Sequence, residues 1–168
     1  MSGPRQQDYA FMAISTPTVR LIAVLVLLFG LMPLARSAPP GLVSTDPQDG
    51  IAIHGYDPVS YFAGPEPQQG RASFEYTLHG TTWRFSNEGN RAAFADHPDV
   101  YAPQFGGYDP VAIARGASVA GNPLIWLIRA QRLYFFYDTD ARSEFAANPA
   151  RLAETAERRW PQVRQTLP

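Results

Sequence analysis

The chain has 168 residues, with 14 basic side chains against 15 acidic ones and a formal net charge of −1. All 14 basic residues are arginine, and nothing resembles the clustered basic face that a nucleic-acid footprint needs. With no cysteine, the chain is excluded from disulfide frameworks, thiolate nucleophiles, thiolate-bound metals and iron–sulfur clusters.

The N-terminus reads as an export signal over residues 1–37. Arg20 precedes an apolar run from Leu21 to Leu34, and Ala35-Arg36-Ser37 puts small residues at the −3 and −1 positions of a cleavage site after Ser37. Met12 is an alternative start that gives a leader of ordinary length. The rival reading is an uncleaved membrane anchor, but 14 residues from Leu21 to Leu34 fall short of the ~20 that a spanning helix needs. The expected location is therefore periplasmic or secreted, with membrane association only if the leader is retained. Cleavage leaves about 130 residues, which suits one domain able to bury its own core. From Ala38 onward there are 11 arginines and 14 acidic residues, a net charge of −3.

Residues 38–49 read as a linker, rich in Pro, Gly, Ser and Asp and without periodicity. The expected domain spans 50–161, and 162–168 form a tail. Ser73–Leu78 alternates polar and apolar residues, His79-Gly80 makes a turn, and Thr82–Phe85 returns, which predicts a β-hairpin. A second hairpin is predicted at Leu124–Arg129 and Arg132–Tyr137 around Ala130-Gln131, with Trp126, Ile128, Leu133 and Phe135 on a shared core face. Between them, Ser86 or Asn87 caps a helix that runs to about Asp96 with Phe94 inward, and His97-Pro98 ends it. Two further helices are expected at Ala141–Asn148 and Pro149–Trp160, where Leu152, Ala156 and Trp160 recur at helical spacing. This order implies an α+β domain, a small antiparallel sheet built from two β-hairpins and covered by short helices.

Gly-Tyr-Asp-Pro-Val occurs twice, at Gly55–Val59 and Gly107–Val111. Aspartate accepts backbone N–H groups at a helix start, and proline in the first turn needs no N–H. Asp57-Pro58 is thus expected to launch a helix to Phe62, stopped by Gly64, and Asp109-Pro110 one to Arg115, stopped by Gly116. The alternative is that Asp57 and Asp109 face each other across a pocket, where paired carboxylates bind a hard cation or share a proton. Five residues matching at a spacing of 52 do not by themselves establish a repeat architecture.

Ile53-His54-Gly55-Tyr56-Asp57-Pro58-Val59-Ser60-Tyr61-Phe62 resembles the opening motif of exported YHS-domain proteins. Trp83-Arg84-Phe85-Ser86-Asn87, Asn90-Arg91, Phe94, Pro98 and Tyr101 are similar to their core, and Pro103-Gln104-Phe105-Gly106-Gly107-Tyr108 to a further family segment. Trp126, Leu133-Tyr134, Tyr137 and Trp160-Pro161 follow in the family's order, so the likeness covers about residues 50–161. The resemblance implies a small α+β module. Related modules use paired cysteines for metal, and exported members often carry Cys or selenocysteine after Gly-Gly-Tyr. Here Phe85–Asn90 has no cysteine and Asp109-Pro110 follows Tyr108. A carboxylate does no thiol redox chemistry and prefers harder cations.

His54, His79 and His97 lie 25 and 18 residues apart, without local metal-ligand spacing. His54 adjoins the first doubled motif. With Asp109 it would suit a mononuclear divalent metal site or a general-base dyad, if the two converge. No serine elbow, phosphate loop or dinucleotide fingerprint is present. The expected function is an exported binding module that holds a metal ion or small ligand, or an exported partner protein, near the two motifs. Its candidate ligand-binding residues are His54, Tyr56, Asp57, Trp83, Tyr108 and Asp109, with His54 and Asp109 as candidate metal ligands. Two alternatives stand beside it: an enzyme or enzyme accessory using His54 and Asp109 for acid–base or metal-assisted chemistry, and a scaffold domain with no ligand.

Overall fold

Two tight turns set the frame of the domain. The computed structural model describes residues 43–45 and 48–167, so the segments read as leader and start of the linker lie outside the described residues. β1 (Arg71–Leu78) returns as β2 (Thr81–Phe85) through His79-Gly80, and β3 (Asn122–Arg129) returns as β4 (Arg132–Phe136) through Ala130-Gln131. Both turns hold two central residues at positive φ, 50° and 83° in the first and 50° and 58° in the second. That geometry matches the twist of antiparallel strands. The α+β class holds, but the hairpins do not join into one sheet: each is a two-stranded sheet of its own.

Six α-helices accompany the hairpins among the described residues: α1 (Ser60–Ala63), α2 (Glu88–Asp96), α3 (Pro98–Tyr101), α4 (Pro110–Ala114), α5 (Thr139–Ala147) and α6 (Pro149–Val163). None is long and apolar enough to cross a membrane. Asn87 caps α2 by accepting the Asn90 N–H at 2.9 Å, and Asp138 caps α5 by accepting the Ala141 N–H at 2.8 Å. His97 and Asn148 then break the helices at nearly the same backbone angles, φ −138° with ψ 60° and φ −143° with ψ 59°. Each precedes a proline, which disfavours the helical region.

These matches extend along the whole domain. Ile53-His54-Gly55 forms a left-handed turn with φ 45°, 54° and 75°, and Phe105-Gly106-Gly107 forms its twin with φ 55°, 63° and 87°. Aspartate, short helix, hairpin, capped helix and Pro-initiated helix follow in the same order in both halves. The strands slip register at equivalent places, between Arg71 and Glu75 and between Asn122 and Trp126. Just before those bulges, the Gly70 and Gly121 N–H groups donate to the carbonyls of Gly55 and Gly107 at 2.8 and 2.9 Å. A Cβ on Gly70 would lie 2.4 Å from the Arg84 carbonyl carbon, and one on Gly121 would lie 2.6 Å from Phe135 Cβ. The doubled pentapeptide is therefore part of a tandem structural repeat. The spacing between twins is 52 residues through the aspartates and 51 from Gly70 and Gly121 onward, because the second connecting loop is one residue shorter.

The two units share a core. Ala52, Ile53, Tyr61, Trp83, Phe85 and Phe94 of the first pack with Leu133 and Phe135 of the second. Trp126 and Ile128 are only partly buried there, while Tyr134 and Phe136 on the opposite face of β4 are buried with Val111 and Phe145. β4 thus has two core faces where the sequence pattern indicated one. The Tyr61 hydroxyl crosses between the units, donating to the Pro123 carbonyl at 3.0 Å, and its ring meets Trp126 edge-on at 5.4 Å. Packing also runs past the expected domain limits. Val163 is buried near the end of α6, and Ser44, in the stretch read as linker, is buried with its N–H donating to the Gly106 carbonyl at 2.7 Å.

Candidate functional site

Asp57 and Asp109 occupy equivalent positions, and each ties its short helix to the end of its own hairpin. Asp57 Oδ1 accepts the Val59 N–H at 2.9 Å, and Oδ2 accepts the Ser86 N–H, the Ser86 hydroxyl and the Asn90 side-chain amide at 2.8, 2.7 and 2.6 Å. Asp109 Oδ1 accepts the Val111 and Ala112 N–H groups at 2.7 and 3.4 Å, and Oδ2 accepts the Tyr137 N–H at 2.9 Å. Their relative exposures are 0% and 2%. Both carboxylates are thus buried and engaged as local braces, but only Asp109 caps its helix as the motif indicated. The N-cap of α1 is Val59, which has no side-chain cap bond, and Asp57 instead closes the turn ahead of it. α1 begins at Ser60, two residues later than the motif indicated, because Pro58 and Val59 form a turn first.

The other candidates separate. His54 and Tyr56 line an open groove of about 460 Å³ between the two units. Its other lining comes from Ala120 just before β3, Pro123 and Leu124 at the start of β3, and Tyr137 just after β4. Leu124 and Tyr137 are 60% and 63% exposed, two of the three most exposed large apolar side chains among the described residues. Small-molecule sites likewise combine a mainly apolar lining with a few polar groups, and are usually more enclosed than this open groove. Asp109 lies on a separate, more polar cavity of about 370 Å³, which shares Tyr137 with the groove.

Tyr108 packs against Trp160 at 5.9 Å between ring centres, and burial raises its phenol above the ordinary tyrosine range. Trp83 is deep in the shared core, its ring centre 4.8 Å from that of Phe94 with the planes tilted by 38°, and its Nε1–H has no hydrogen-bond partner among the described residues. Tyr108, Trp83 and Asp57 line neither cavity. No group of three or more His, Cys, Asp or Glu among the described residues is arranged to hold a metal ion.

Ala120, Pro123, Leu124 and Tyr137 escape the sequence reading of the site. Their only local signal is a leucine and a tyrosine at hairpin positions that face outward. What makes them a wall is the distant turn at Ile53–Gly55, brought alongside by the Tyr61 bond to Pro123. Compared with family models, curated proteins and solved structures, the chain finds no match.

Proposed function

We propose that this is a small exported binding module of the YHS type, and that the groove between its two units holds a small, largely apolar ligand. The single observation that carries the reading is the groove itself: about 460 Å³ lined by His54, Tyr56, Pro123, Leu124 and Tyr137 among others. Exposed leucine and tyrosine side chains on one concave face favour an apolar occupant, since burying them removes apolar surface from water. The motif segments Ile53–Phe62, Trp83–Asn87 and Pro103–Tyr108 support the YHS assignment, and the Arg20–Ser37 leader supports a periplasmic or secreted location.

Acid–base or metal-assisted chemistry through His54 and Asp109 has less support. The two residues line different cavities, and both Asp109 oxygens accept backbone N–H groups. Binding without turnover is the better fit.

A thermal-shift screen of indole, phenol, cyclohexanol and similar compounds tests the reading. Ligands that prefer the folded state raise the Tm with concentration. The expected result is a set of apolar compounds that do so for the wild type and lose the effect in a Leu124→Ser/Tyr137→Ser double variant. If no compound shifts the Tm, or the double variant responds like the wild type, the groove is not the site.

A further inference from the structure

The two aspartates are twins in position but not in satisfaction. Asp57 Oδ2 receives, besides a backbone N–H, the Ser86 hydroxyl at 2.7 Å and the Asn90 side-chain amide at 2.6 Å. In the second unit the position of Ser86 is taken by Tyr137 and that of Asn90 by Ala141. The backbone equivalence is close: Ser86 and Tyr137 each donate their N–H to the neighbouring Oδ2, at 2.8 and 2.9 Å, and Asn90 and Ala141 each donate theirs to the helix cap. The alanine has no donor, and the tyrosine side chain is 63% exposed. Asp109 Oδ2 is left with one donor where its twin has three.

The space is also left open. Asp109, Tyr137 and Ala141 all line the cavity of about 370 Å³. A buried carboxylate gains from every donor it can accept, because its desolvation is offset only by hydrogen bonds and opposite charge. We infer that this cavity binds a small group carrying N–H donors and positive charge, an amidinium or guanidinium, which supplies Asp109 with the hydrogen bonds that Asn90 and Ser86 supply to Asp57.

The walls set the sign of the charge. Asp138, Asp140 and Glu144 line the same cavity, and its one cationic residue, Arg115, is tied to Glu144 at 2.6 Å. Oδ1 already accepts the Val111 and Ala112 N–H groups, so the contact expected is a charge-assisted N–H bond to Oδ2. The two cavities share Tyr137, but Ala141 lines only this one, so its substitution tests this site apart from the groove.

The twin supplies both probe and control. The asparagine side chain ends in the acetamide group, so acetamide and its cationic isostere acetamidinium are titrated into the full chain and followed by amide NMR shifts. The expected result is saturable shifts at Val111, Ala112, Tyr137 and Ala141, with acetamidinium binding about tenfold tighter than acetamide. Ala141→Asn, which restores the twin's donor, is expected to abolish those shifts and to raise the Tm in the absence of any ligand. No saturable shift, or equal binding of acetamidinium to wild type and Ala141→Asn, overturns the inference. A fall in Tm for Ala141→Asn also contradicts it, because Asp109 then has no unmet acceptor for the amide to fill.

Discussion

Each buried aspartate accepts hydrogen bonds from donors fixed in the fold, so its removal leaves those donors without their acceptor. Asp57 serves four donors and Asp109 three. Asp57→Ala is therefore expected to cost about 3–4 kcal/mol and Asp109→Ala about 2–3 kcal/mol in urea unfolding. The reverse order would contradict the assigned bonding. Since no group of three or more potential metal ligands exists among the described residues, a panel of divalent cations should leave the Tm unchanged. A saturable rise with any one cation would restore the metal reading. Tyr61 adds a pH dependence. Burial, with smaller contributions from Tyr56 and Asp57, raises its phenol far above the ordinary range. Its folded-state pKa exceeds the unfolded value, so its contribution is full below about pH 10 and is lost as pH rises further. Denaturation between pH 9 and 11 should show stability falling in the wild type and falling less in Tyr61→Phe; parallel curves would remove Tyr61 as the cause.

The hairpins and capped helices were legible at the scale of elements because their signals are local. His79-Gly80 marks a turn in sequence, Asn87 stands one residue before α2, and proline follows both helix breaks at His97 and Asn148. The second turn is less favourable chemically, since Ala130 and Gln131 hold φ 50° and 58° with side chains attached. Gln131→Gly, which gives this turn the glycine of its twin, is expected to stabilise the protein by about 0.5–1 kcal/mol. A loss of stability in thermal unfolding would show that the Gln131 side chain makes a contact of greater value than the strain. The repeat was not legible, because identity between twins is dense only in the pentapeptide and the spacing changes from 52 to 51 in the loop after it. What the halves share beyond that is backbone: left-handed turns, bulges and close approaches at Gly70 and Gly121.

For the whole molecule, the consequence of repetition is a joint core with a groove along its seam. Leu133 and Phe135 of the second unit pack among first-unit residues, and Tyr61 bonds across to Pro123. Neither hairpin has a complete core alone, and isolated two-stranded hairpins are marginal in water. Of the six residues singled out from sequence, the seam brings His54 and Tyr56 together in the groove, leaves Asp109 on the neighbouring cavity and places Trp83 in the core. Sequence can nominate residues near a motif, but only the juxtaposition of residues 54–56 with 120–124 around one groove creates a wall. The most direct test of a binding groove at this seam is an amide NMR map of the protein titrated with the strongest compound from the apolar screen. The expected result is saturable shifts concentrated at His54, Tyr56, Ala120, Leu124 and Tyr137. Shifts confined to other parts of the fold, or none at saturating concentration, would contradict it.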